Sequence, residues 1–179
     1  LPNIPIYASP FTYNIVKQEL LEYDKSISSL VKIEANKPVD VGNLKVYPVS
    51  LSHSIQDNFG YAIYTPDGII FYASDFVFDS TMRGAYKTDL GKLAYIGKQG
   101  VLCLMSESLY ANKEGYTAPN HRIQSLIRET LVKSNGRIIF NVLNSHLYRI
   151  QELFNEVEKT DRKIVVMGKR LQNIIDNAI

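Results

Sequence analysis

The chain has 179 residues, 45% of them hydrophobic, with a net charge of +2 and a single cysteine. That length holds one domain or one and a part, the apolar content excludes a disordered chain, and one cysteine excludes a disulfide framework. No signal-peptide pattern is present and no apolar run approaches the ~18 residues of a membrane helix, so a cytoplasmic protein with no membrane partner is expected. Charge is unevenly spread: residues 1–118 carry 10 Lys and Arg against 12 Asp and Glu, whereas residues 119–179 carry 10 against 6. An excess of positive charge in the second part suits a polyanion, although a solvated charged surface is the commoner explanation.

In chain order, NIPIYA at 3–8 reads as a short buried strand. FTYNIVKQELLEY then places Phe11, Ile15, Val16 and Leu20 at helical spacing. Strand-like stretches follow at LVKIEA, NLKVYPVSL, FGYAIYT and GIIFYAS. The last two are joined by Thr65-Pro66-Asp67-Gly68, in which Pro presets the first central φ and Gly admits a positive one. DLGKLAYIGKQG reads as a short helix and VLCLMSES as a buried strand, with Cys103 a buried, reduced thiol. Thr117 and Pro119 suit the start of a helix carrying Ile123, Leu126, Ile127 and Leu131, ended by Gly136. RIIFNVL is strand-like, Ser145 fits a helix N-cap, and HLYRIQELFNEVEK carries Leu147, Ile150, Phe154 and Val157 on one face. KIVVMG is a further strand, and the last residues begin another helix.

Residues 1–79 are thus rich in antiparallel-looking strands. Residues 101–179 alternate strand and helix, which predicts a parallel sheet flanked by helices. The chain begins at Leu1 and closes on the helix-like RLQNIIDNAI, which we read as a piece of a longer protein.

Two residues at strand ends carry chemistry. His53 follows NLKVYPVSL and Asp75 follows GIIFYAS, a run with no other charge. A histidine there is commonly a surface residue, and an aspartate commonly caps a turn. Folding at 65–68, however, brings the far ends of the two strands to one edge of the sheet. Imidazole and carboxylate are the ligand mix of zinc and manganese sites, and a carboxylate can bridge two metals.

The string SHSIQDNFGYAIYTPDGIIFYASDFVFD resembles the ribonuclease J family of metallo-β-lactamase-fold nucleases, whose pattern is a THSIPDS-like segment, a glycine-led hydrophobic strand, a TP-G turn and GDFKFD. KLAYIGKQGVLCLMSES resembles the approach to the family's SDS motif. GRIIFNVLNSHLYRIQELFNEVEKTDRKIVVMGK resembles the strand–helix–strand that opens its β-CASP domain. The resemblance runs through nearly the whole chain in order.

It implies an α/β fold, with residues 1–118 part of a metallo-β-lactamase αββα sandwich and residues 119–179 the first βα units of a parallel-sheet β-CASP domain. It implies a metal-dependent ribonuclease with two divalent ions, zinc or manganese, acting on single-stranded RNA as a 5′ exonuclease, an endonuclease or both. His53 would be a metal ligand and Asp75 the metal-bridging aspartate. Glu107, in SES, would orient a histidine outside this chain, with strand-end capping as its plainer alternative. Ser106, Ser108, Ser145 and Arg149 match motif positions on the substrate side.

The family's His-x-His-x-Asp-His signature has no counterpart here, so the isolated chain is expected to bind catalytic metal weakly and to cleave nothing. SDSTN reads SESLY, with Leu109 and Tyr110 replacing Thr and Asn; the family's Ala-Ser-Asn-x-His-Arg reads NSHLYR, with His146 and Tyr148 as departures; and GDFKFD reads SDFVFD. These changes lean toward the less active second paralogue. They keep a second reading alive: a non-catalytic subunit that assembles with an active paralogue. In either reading a homo-oligomer or a complex with a ribonuclease J paralogue is expected.

Overall fold

The structure, a computed structural model, describes residues 4–109, 111–115 and 123–178. Its contacts divide the chain into two compact units. The first comprises Leu1–His53 and Asp57–Ala111; the second comprises Ser54–Gln56 and Asn112–Ile179.

The first unit opens with β1 (Ile6–Ala8), α1 (Pro10–Glu22) and β2 (Leu30–Lys32). Pro10 occupies the first helical turn, where its missing N–H costs nothing. β1 and β2 pair in parallel, Ile6 opposite Leu30, which an intervening helix makes possible. β1 is only half covered: Ala8 is buried and Ile6 exposed.

A second sheet is built from β3 (Val39–Val41), β4 (Leu44–Ser50), β5 (Phe59–Thr65), β6 (Gly68–Ala73) and β7 (Val101–Ser106), in that spatial order. The first four run antiparallel and β7 joins β6 in parallel. The turn expected at 65–68 forms: Thr65 lies opposite Gly68, and the Thr65 hydroxyl donates to the Gly68 carbonyl at 2.8 Å. Gly68 has φ 143°, and a Cβ there would meet Leu102 Cβ at 3.1 Å, so the turn needs glycine on two counts. Val49, Leu51, Ala62, Ile69, Phe71 and Ala73 form the core on one sheet face, closed by Ile96. Ile96 comes from α2 (Leu90–Lys98), whose N-cap Asp89 accepts from Lys92 N at 3.0 Å.

The sequence reading of β7 as buried is corrected. All six of its residues are exposed, Leu102 and Leu104 at 64% and 65%, and Cys103 is an exposed free thiol. β7 is the last strand of its sheet, and no described element packs over it. An apolar run shows that a strand can be buried; only what packs over it decides whether it is.

The second unit contains α3 (Ile123–Lys133), α4 (Leu147–Val157) and α5 (Lys169–Asp176). Ile127, Leu131 and Val157 form its core, with Ile138 and Leu153 against them. Leu126, expected on the buried face of α3, is exposed. The start proposed at Thr117 and Pro119 lies outside the described residues. The N-cap of α4 is His146, one residue beyond Ser145, and it makes no side-chain capping bond. Ser54 and Gln56 belong to this unit because Tyr148 N donates to Ser54 O at 3.1 Å and Gln56 Nε2 to Ala178 O at 3.3 Å.

The strand-like segments of the second unit stand without ladder partners here. Neither 137–143 nor 163–168 is paired into a ladder among the described residues, although the α/β class of the chain stands. A strand exists only with a hydrogen-bonded neighbour, and these two segments do not pair with each other. Ile139 and Val165 are left 95% and 81% exposed. An apolar groove of about 460 Å³ consequently opens between α3, α4 and residues 138–143.

Candidate active site at the strand ends

The strand directions set where functional side chains can gather. β4, β6 and β7 run one way and β5 the other, so the carboxyl ends of three strands and the start of the fourth share one end of the sheet. His53 lies three residues past β4, Asp57 and Asn58 lead into β5, Ser74 and Asp75 leave β6, and Ser106 and Glu107 close β7.

Hydrogen bonds tie these loops together. Val77 N donates to Ser52 O at 2.8 Å, which joins the segment after β6 to the residue before His53. The Asn58 side-chain amide donates to Asp75 O at 2.7 Å. Glu107 Oε1 accepts from Phe76 N at 3.1 Å. The Ser74 hydroxyl lies 2.9 Å from Phe59 O and 3.3 Å from Asn58 Oδ1. Asp75 and Glu107 themselves are exposed, His53 half-buried.

The anchors beneath this surface are residues that sequence reasoning missed. Ser52 is fully buried; its N–H donates to Thr88 Oγ1 at 2.7 Å, the two hydroxyls are 2.6 Å apart, and Thr88 N donates back to Ser52 Oγ at 3.0 Å. Asp57 adopts φ 52° and accepts from Phe11 N at 3.3 Å, giving α1 the capping acceptor that Ser9 does not supply. Burial pushes the Asp57 carboxyl above its ordinary value, and the Phe11 N–H only partly offsets that. Polar residues in the SIQDN loop were the only available signal for Asp57 and Asn58. Nothing in the sequence pairs Ser52 with Thr88, 36 residues away.

The remaining candidates fall in different places. Ser106 Oγ donates to Glu107 O at 3.2 Å, and Ser108 O accepts from Ala111 N at 3.0 Å; both side chains are exposed. Ser145 and Arg149 lie in the second unit, Arg149 on the wall of the apolar groove with His146.

The donor types at the sheet end suit zinc or manganese, but their number does not. Among the described residues, no three His, Cys, Asp or Glu side chains are grouped to hold a metal, whereas a catalytic zinc takes three protein ligands. His53 and Asp75 do not amount to a metal centre by themselves. No described helix is long and apolar enough to cross a membrane.

Fold and site together define a mixed α/β protein with its polar cluster at the carboxyl ends of sheet strands. A sequence model described as "Ribonuclease J, beta-CASP domain" matches residues 135–179. A protein named Ribonuclease J 1 from Streptococcus pyogenes is 35% identical over 178 residues, covering 99% of this chain and 32% of that protein. Ribonuclease J 2 from Staphylococcus aureus is 30% identical over 171 residues, covering 94% of this chain and 30% of that protein. A crystal structure of a protein of unknown function from Enterococcus faecalis superposes with a TM-score of 0.67 at 20% identity, over 98% of this chain and 44% of that one, a likeness of fold. The chain is similar over nearly its whole length to proteins of the ribonuclease J family. It spans about a third of the length of the curated relatives it matches, and relatives of both numbers match it.

Proposed function

We propose that this chain is part of a metal-dependent ribonuclease that hydrolyses RNA phosphodiester bonds in RNA processing and decay, from the 5′ end, internally or both. The observation that carries the reading is the sheet end. In a chain related throughout to proteins named ribonuclease J, the loops bearing His53, Asp75 and Glu107 emerge side by side and are hydrogen-bonded to one another.

In this reading the first unit is part of the metallo-β-lactamase domain and the second the opening of the β-CASP domain. His53 and Asp75 are this chain's share of a site for two divalent ions, zinc or manganese, whose other ligands come from outside these 179 residues. Ser106, Ser108, Ser145 and Arg149 contact single-stranded RNA, chiefly through phosphates. The 179 residues alone bind metal weakly and cleave nothing. The whole protein works in the cytoplasm, as a homo-oligomer or with a ribonuclease J paralogue.

The test uses the full-length gene product, 5′-monophosphorylated RNA and manganese, with Asp75→Ala in parallel. Cleavage that Asp75→Ala abolishes is the expected result. Absence of cleavage by the folded, metal-loaded protein would overturn the reading.

A second reading, a non-catalytic subunit of an active paralogue, is favoured by Leu109 and Tyr110, which directly follow SES, and by His146 and Tyr148 beyond them. It predicts an inactive full-length protein that nonetheless binds the active paralogue, measurable by co-purification.

A further inference from the structure

The peptide linking Asp75 to Phe76 is held from both ends. Its carbonyl accepts from Asn58 Nδ2 at 2.7 Å, and its N–H donates to Glu107 Oε1 at 3.1 Å. Carbonyl and N–H are the two poles of one rigid plane, which turns as a body about ψ of residue 75 and φ of residue 76. Bonding both poles fixes both angles. No ladder does this work, because β6 ends at Ala73.

The two holding groups are themselves held. Leu51 N donates to Asn58 O at 2.8 Å, and Asn58 Oδ1 faces the Ser74 hydroxyl. Glu107 directly follows β7, which is in register with β6 up to Ala73 opposite Ser106. Asn58 has to be a donor here: the isosteric aspartate would set a carboxylate against a carbonyl oxygen.

We propose that Asn58 and Glu107 are positioning residues for Asp75, locking the Asp75–Phe76 peptide so that the direction of the Asp75 Cα–Cβ bond at the sheet end is fixed. The inference rests on the reading of Asp75 as a functional group. It gives Glu107 a role within this chain, through its oxygen as an acceptor, in place of one through its charge on a distant histidine. Glu107→Gln keeps the acceptor and Glu107→Ala removes it, so the conservative variant separates the two roles.

Two readouts test it. In the 179-residue chain, Phe76 amide exchange should speed up about tenfold or more in Asn58→Asp and Glu107→Ala, with little change in Glu107→Gln and an unchanged unfolding midpoint. In the full-length protein, kcat for RNA cleavage should fall about tenfold or more in the first two variants, with KM nearly constant, and stay near wild type in Glu107→Gln. Unchanged Phe76 exchange overturns the proposal. So does an unchanged kcat in Asn58→Asp and Glu107→Ala where Asp75→Ala abolishes cleavage, or a Glu107→Gln variant as impaired as Glu107→Ala. Full cleavage by Asp75→Ala overturns the functional reading and the positioning role with it; the amide readout distinguishes that from failure of the peptide lock alone.

Discussion

Ser52 and Thr88 satisfy each other's polar groups in the interior, hydroxyl to hydroxyl at 2.6 Å and each backbone N–H to the other's oxygen. This pair fixes the chain immediately before His53 against the approach to α2, and the Ser52 carbonyl then receives Val77 N at 2.8 Å. One buried side-chain pair therefore sets the origin of two of the loops that bear the candidate site.

Thr88→Val retains the shape and leaves the buried Ser52 N–H without its acceptor. The expected loss is about 1–3 kcal/mol, the cost of an unsatisfied buried donor. In thermal unfolding this lowers Tm by several degrees, whereas Thr88→Ser, which keeps the hydroxyl, loses much less.

Gly60, near the start of β5, has no room for a methyl group. A Cβ would lie 2.7 Å from Leu51 Cδ1 and 3.1 Å from both Phe71 Cζ and Tyr72 O. Leu51 can shift, but the Tyr72 carbonyl belongs to the sheet. Gly60→Ala should cost about 1–3 kcal/mol by overpacking, measured by urea denaturation.

In the second unit, the buried Glu156 carboxylate of α4 receives Arg128 Nε at 3.0 Å, Arg128 Nη2 at 3.2 Å, Gln124 Nε2 at 2.6 Å and Lys159 Nζ at 2.6 Å. Arg128 above all, then Lys159, holds its carboxyl down from 4.5 to about 2. A depressed carboxyl stabilises the fold above its unfolded pKa, and that contribution is lost as pH falls from about 4.5 through about 2. Glu156→Gln should destabilise on the order of 2 kcal/mol at neutral pH. The difference from wild type should shrink across that acid window, as followed by helical circular dichroism.

Asp57 has the opposite sign. Burial raises its carboxyl, so the stability tied to its neutral form is present at acid pH and lost as pH rises through the raised value. Asp57→Asn keeps an acceptor for Phe11 N and tolerates φ 52°, so at neutral pH it should unfold at or above the wild-type temperature. Asp57→Ala loses the helix cap and is strained, and should cost about 1–2 kcal/mol.

The sequence by itself determined the elements that depend on local chemistry. The hairpin at 65–68 follows from Pro66 and Gly68, α1 from its apolar spacing, and α2 from the run DLGKLAYIGKQG. It also determined that His53 and Asp75 stand at strand ends, because each follows an apolar run of strand length, and its motifs carried the family resemblance. What only the tertiary structure decided depends on neighbours distant in the chain. The exposure of β7 and of Cys103 follows from the lack of a described element over the faces of that strand, which no periodicity records. The unpaired state of 137–143 and 163–168 follows from the lack of a ladder partner, whatever their β propensity. The grip of Asn58 and Glu107 on one peptide spans 17 and 31 residues. Hydrogen bonds over such separations form when a sheet aligns its ends, and a linear pattern holds no information on which side chain then faces which carbonyl.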